Sequence, residues 1–170
     1  HRDALAWCHF HWGSLLWQRD KHEAAEVHFG LALKLRAELP DVPEFRRALV
    51  QLLSECESEA VRDTKRAVQM AQELAATKPE QAEFQSLLAG ALLRNGEFEV
   101  TERTARLALQ LRNAPHAQDL FVLAMAEHRN GKLDEAKNTL AKAEGIFFDQ
   151  CPGRIETLTL AAEARSQVGK

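Results

Sequence analysis

Small and apolar residues return at helical spacing behind three turns. Asp20 precedes Ala25, Phe29 and Ala32; Gly96 precedes Thr101, Ala105 and Ala108; Gly131 precedes Ala136, Leu140 and Ala143. The offset from turn to first small residue is the same each time, and the 4-then-3 step that follows traces one face of a helix. A period of roughly 35–40 residues carrying two helices predicts a stacked helical repeat.

Proline and glycine punctuate this pattern. Leu39-Pro40-Asp41-Val42-Pro43, Lys78-Pro79-Glu80 and Asn113-Ala114-Pro115 each end one helical stretch and open another. Further breaks fall at Arg19-Asp20, Cys56–Ala60, Asn95-Gly96 and Asn130-Gly131. Asn-Gly suits a helix C-terminus, where a left-handed residue satisfies the last carbonyls. The predicted pairs are 3–19 with 21–38, 43–56 with 61–77, 80–94 with 97–112, and 116–129 with 132–146. A ninth helix over 154–168 follows the break at Pro152-Gly153. β-Branched residues never alternate with polar ones over a strand length, so an all-α chain is expected.

The pattern resembles the tetratricopeptide repeat family. Its unit is a helix-turn-helix with W-x2-L-G-x2-Y, then A-x3-F, then P. The first unit matches through His9, Trp12, Gly13 and Leu16, then Ala25, Phe29, Ala32 and Pro40. The third matches through Gln85, Leu88, Ala89 and Leu92, then Thr101, Ala105 and Ala108. The fourth matches through Leu120, Leu123, Ala124 and Glu127, then Ala136, Leu140 and Ala143. The second is degenerate, with Leu49, Val50 and Leu53 followed by Thr64, Val68 and Ala71, and a turn without glycine. The resemblance implies a right-handed α-α superhelical solenoid of antiparallel helix pairs, about nine helices, forming a single domain over 1–170.

Packing expectations follow. Gly13, Ala89 and Ala124 let paired helices approach closely, and Trp12, Leu88 and Leu123 fill the space between neighbouring pairs. Phe147-Phe148 close the core beneath the last helix. That helix carries Leu158, Ala161, Ala162 and Ala164 beside Glu156, Glu163 and Arg165, as suits a cap with its apolar side inward.

The resemblance also implies a concave groove lined by the first helices. By position the first unit contributes Trp7, Phe10, Ser14, Trp17 and Gln18, and the second Glu44, Arg47, Gln51 and Ser54. The third contributes Glu83, Ser86, Gly90, Leu93 and Arg94, and the fourth Gln118, Phe121, Met125, His128 and Arg129. Such a groove suits a peptide with apolar anchors and a carboxylate. Trp7 and Trp17 could equally pack on another repeat or a second copy, so self-association of a structural solenoid is the alternative. The clamp with which some family members hold C-terminal carboxylates is not matched; Phe10 and Ser14 stand there.

Composition narrows the classes. Net charge is −3, which gives no bulk case for nucleic acid or an anionic membrane. No apolar stretch approaches the roughly 20 residues of a membrane helix. Cys8, Cys56 and Cys151 are an odd, irregularly spaced set, which argues for a reducing, cytoplasmic setting over a disulfide framework. The chain opens at His1 inside a helical pattern, as a piece of a longer protein would.

Catalytic constellations do not assemble. Cys8, His9, His11, His22 and His28 fit no known arrangement of zinc ligands, so no metal or cofactor is expected. Cys151, with only Arg154 beside it, reads as an inert thiol. Carboxylates spread over the helix exteriors read as solvation, and Glu55, Glu57 and Glu59 as a solvated helix end. The expectation is a non-catalytic module with a protein or peptide partner.

Overall fold

The structure, a computed structural model, describes residues 1–150 and 155–169. The described residues form nine α-helices and no strand. They are α1 (Arg2–Trp17), α2 (His22–Ala37), α3 (Pro43–Glu55), α4 (Thr64–Thr77), α5 (Ala82–Asn95), α6 (Phe98–Leu111), α7 (Ala117–Arg129), α8 (Leu133–Gln150) and α9 (Ile155–Val168). The predicted ends hold to within three residues everywhere except in α8, which continues past Gly145 and 146 to Gln150. The Pro152-Gly153 break, Cys151, Arg154 and the side chains of Phe148 and Glu156 lie outside the described residues.

Three turns share one backbone device. Asp20, Gly96 and Gly131 are the positive-φ residues of the described chain, at φ 57°, 83° and 80°. The amide after each reaches back to a carbonyl five residues earlier: Lys21 to Leu16 at 3.0 Å, Glu97 to Leu92 at 3.0 Å, and Lys132 to Glu127 at 2.9 Å. The amide of the left-handed residue itself bonds three residues back, to Trp17, Leu93 and His128. This paired pattern is the Schellman motif, which satisfies the orphan carbonyls of the ending helix. The next helix then starts in the same register, through Ala25, Thr101 and Ala136 amides bonded to Lys21, Glu97 and Lys132. The repeat offset in the sequence is this motif. The second repeat closes its turn differently, with the Asp63 amide on the Leu53 carbonyl.

The chain divides into two compact units, His1–Leu74 and Ala75–Lys170. In the first, α1 packs along α2, and α2 against α3. Gly13 lies directly on the Phe29 ring, which is wholly buried. The buried Arg36 donates from α2 to the Ala48 carbonyl of α3, and Arg46 ties α3 to α4 by a 2.7 Å contact with Glu73. Trp12 departs from expectation. It is 53% exposed, with its edge toward His28, and fills no space between helix pairs.

In the second compact unit α5 packs on α6, α6 on α7, α7 on α8, and α9 on both α7 and α8. The consequence is that α7 is enclosed: every residue from Asp119 to Glu127 is buried. Ala89, Ala105, Ala124, Ala136 and Ala143 line the contacts, with Leu120, Phe121, Leu123, Met125, Leu140 and Phe147 filling between them. Phe147 meets Phe121 edge-on at 5.6 Å, closing the core as expected of it.

Candidate interaction site

The groove residues of the first compact unit are dispersed in character. Trp7 is 43% exposed and lies against the His11 ring at 4.0 Å. Trp17 is half-buried, its ring tilted against that of His22 at 4.3 Å and near Phe29 at 6.3 Å. Phe10 is buried against Phe29, so it belongs to the core. The Ser14 hydroxyl donates to Glu57 at 3.1 Å, which places Glu57 in a specific contact beyond plain solvation. Gln18 is exposed at the end of α1, Glu44 and Arg47 are exposed at the start of α3, and Gln51 one turn further on is half-buried. Ser54 is buried, its hydroxyl returned to the Val50 carbonyl at 2.9 Å.

Exposed apolar side chains collect on this hairpin. Leu5, Trp12 and Leu15 follow one line along α1, with the exposed Cys8 among them, and Val27 and Leu31 stand exposed on α2.

In the second compact unit the expected lining separates into two sets. Phe121 and Met125 are wholly buried and Leu93 nearly so, and they offer no surface to a partner. The helix α7 that carries Phe121 and Met125 is packed against α5, α6, α8 and α9. Arg94 and Arg129 lie on the same side but keep their head groups near the surface. Arg94 grips Glu163 of α9 through two parallel bonds of 2.6 Å each. Such a fork-on-fork pair is directional as well as strong. Arg129 stacks over Phe98, 5.6 Å from its centroid, and reaches Gln167 of α9 at 3.4 Å. Glu83 is exposed, while Ser86, Gly90, Gln118 and His128 are half-buried.

The α9 face turned inward differs from the expected cap. Thr157, Ala161, Ala164 and Val168 are buried, whereas Leu158 is 47% exposed and Ala162 is not part of the buried stripe. The stripe therefore consists of small side chains, bordered by Glu163 and Gln167. Those two residues also bond to each other at 3.0 Å.

Two polar clusters escaped the reading of carboxylates as solvation. Glu102 and Glu127 are buried. With Glu135 they bring three carboxylates within 4.8 Å of one another, a set that could hold a metal ion. Two cations of the chain already pair with it. Arg106 contacts Glu102 at 2.5 Å and Glu127 at 2.9 Å, and Lys132 contacts Glu102 at 2.6 Å. Burial pushes the Glu102 carboxyl up, but bonds from Lys132 and Asn130 together with the Arg106 charge hold it below its ordinary value. Lys132 is raised by its bond to Glu102. In the second cluster the buried Asp119 receives Arg112 at 2.6 Å, which joins the end of α6 to α7. Arg112 also borders an open cleft of about 430 Å³ together with Glu83, Asn113, Pro115 and His116. The i, i+4 spacing of Glu102 and Arg106 was visible in the sequence, but not the burial of Glu102, Glu127 and Asp119.

The histidines that suggest metal ligands in the sequence separate into ring contacts. His9 and His28 face each other Nδ1 to Nδ1 at 2.8 Å. Burial, and then the His9 charge, lowers the His28 imidazole. Cys56 is a buried free thiol, pushed up by burial to about 11. No described helix is long and apolar enough to cross a membrane.

This architecture is an all-α helical repeat solenoid of the tetratricopeptide type. The fold is similar to the crystal structure of a thermophilic TPR protein from Thermus thermophilus, at a TM-score of 0.55 and 19% identity, over 97% of this chain and 92% of that one. No family model matches the sequence, and no curated protein does either.

Proposed function

We propose that the chain is a non-catalytic interaction module that takes a peptide or partner domain on the faces of its first helices. One observation carries this reading. The α5–α7 face already holds a helix by a forked arginine–carboxylate contact, Arg94 on Glu163, with Arg129 beside it. A face that grips one helix this way has the charge and shape for a carboxylate-bearing segment. In the first compact unit the surface offered is Trp7, Trp17, Arg47 and Gln51, with Ser14 beside them. In this reading the protein works in a reducing, cytoplasmic setting and uses no cofactor or metal.

The test is capture of a partner by the wild-type chain and by a Trp17→Ala, Arg94→Glu, Arg129→Glu variant whose fold is verified by circular dichroism. Loss of the partner with the variant supports the reading; equal capture by both chains removes it.

A second reading is self-association through the aromatic N-terminal helix. It is favoured by the exposure of Trp7 and Trp12 beside Leu5 and Leu15, since contiguous apolar surface marks interfaces. Solution mass against concentration decides it. A dimer with blue-shifted indole emission supports self-association, and a monomer at all concentrations with exposed indoles eliminates it.

A further inference from the structure

We propose that α9 is a displaceable internal ligand: it occupies the α5–α7 face in place of an external helix with the same signature. The inference rests on the interaction reading above and names both the partner class and the regulation of that surface.

The contact has two components. One is an apolar strip of Ala161, Ala164 and Val168, at i, i+3 and i+7, buried in the same core cluster as Phe121 and Met125 of α7, against which α9 packs. The other is a polar border, Glu163 to Arg94 and Gln167 to Arg129. Arg94 is on α5, so α9 reaches across α7 to the first helix of the preceding pair. A helix serving only to cover α7 needs no such reach.

The holding interactions are also unequal on the two sides. The face of α7 is large-chained, while α9 meets it with two alanines and one valine at full burial. Leu158 is half-exposed and Leu160 is only partly buried. The polar border is about one-quarter exposed, with Arg94 and Glu163 side chains at 28% and 27%, so part of its strength is screened by solvent. A helix held by small side chains and a solvent-accessible ion pair opens at lower free energy than the helices enclosing α7.

The external ligand that fits is an amphipathic helix bearing small-x-Glu-small-x-x-Gln-Val, the arrangement of residues 161–168, or the same stripe with a larger apolar residue in place of an alanine. It competes with α9 at equal geometry, and its apparent affinity is reduced by the fraction of time α9 is seated.

The experiment uses the full chain and a fluorescein-labelled synthetic peptide of residues 155–168. Glu163→Arg in the protein weakens the seated α9 by charge reversal against Arg94, while the peptide keeps its glutamate. The peptide is expected to bind this variant at least tenfold more tightly than wild type. A peptide carrying Glu163→Arg should lose that binding and regain it on a chain with Arg94→Glu. Hydrogen exchange on the wild-type chain gives an independent readout: α9 amides should exchange ahead of those of α5 and α7. If the peptide binds neither chain, and α9 exchanges only with the rest of its unit, α9 is a fixed part of the core and the inference falls. Partner capture sensitive to Trp17→Ala would survive that outcome, so the two readings fail separately.

Discussion

Gly13 and Phe29 are in direct contact: a Cβ built on Gly13 would sit 2.6 Å from Cε1 of the ring and 2.7 Å from Cδ1. The ring is wholly buried and flanked by Phe10 and Trp17, at 6.0 and 6.3 Å between centroids. It therefore has little room to retreat. Gly13→Ala should destabilise the first compact unit by about 1–3 kcal/mol, the usual cost of overpacking. Urea unfolding followed by tryptophan fluorescence measures it. Adding Phe29→Leu to Gly13→Ala should cost less than the two single changes summed, because the second removes the atoms the first collides with. Strict additivity would mean that α1 and α2 slide apart instead.

The three Schellman turns predict a graded series. At Gly96 and Gly131 a Cβ meets nothing within 4 Å, so only the backbone conformation matters there. Gly96→Ala and Gly131→Ala should each cost about 1 kcal/mol, the left-handed penalty of an L-residue. Asp20 already bears part of that penalty at φ 57°, so Asp20→Gly should be neutral or slightly stabilising. Thermal unfolding of the three variants gives the ordering. A loss of stability in Asp20→Gly would show that the Asp20 side chain contributes more than its backbone strain removes.

These turns were legible in the sequence because a left-handed residue five positions ahead of a small one is a local requirement. The glycine under Phe29 was legible for the same reason: a paired helix needs a gap at a fixed register. Trp12 was misread because hydrophobicity at a repeat position says what could be buried, not whether a covering face exists. Phe121 and Met125 were misread for the opposite reason. Their burial depends on how α6, α8 and α9 all pack around α7, and the alanine stripe of α9 gave no hint of which face it would choose. Glu102 looked like an ordinary helix-surface acid, and Glu127 stood as a charged residue at a repeat position. Their burial follows from the enclosure of α7 and from Arg106, neither of which a local pattern reports.

The His9–His28 contact makes the first compact unit sensitive to mild acid. A 2.8 Å Nδ1–Nδ1 approach requires one ring to donate and the other to accept, and two imidazolium rings would point N–H at N–H. Burial and the His9 charge lower His28 from its ordinary value of 6.5. For a base lowered in the folded state, the unfolded chain binds more protons between the two values. The stabilising contribution is therefore present above about 6.5 and is lost as pH falls toward the folded value. Stability measured by urea at several pH values from about 7.5 to 5 should decline, and His28→Gln should flatten that decline. An unchanged slope in the variant would locate the acid sensitivity elsewhere.

The Arg106 cluster predicts a strong asymmetry between single and double substitution. Glu127, with a side chain 3% exposed, is balanced by Arg106 at 2.9 Å, whereas Glu102 also has Lys132 and Asn130. Arg106→Ala leaves Glu127 as a buried carboxylate without that cation. The cost should be about 2–3 kcal/mol, below the fully buried case because Arg106 itself is half-exposed. Replacing both, Arg106→Ala with Glu127→Leu, removes the stranded charge and should recover at least half of the loss, since deleting both partners of a buried pair is far milder than deleting one. The pH dependence supplies a second check. Glu102 is lowered, so its contribution is present above the ordinary carboxylate value of 4.5 and is lost as pH falls through the folded value. Lys132 is raised, so its contribution is present below 10.5 and is lost as pH rises through the folded value. Lys132→Met should thus lower stability on the plateau between and weaken the loss at both ends. If Arg106→Ala and the double variant are equally unstable, the burial of Glu127 is relieved by water, and α7 is less enclosed than its packing shows.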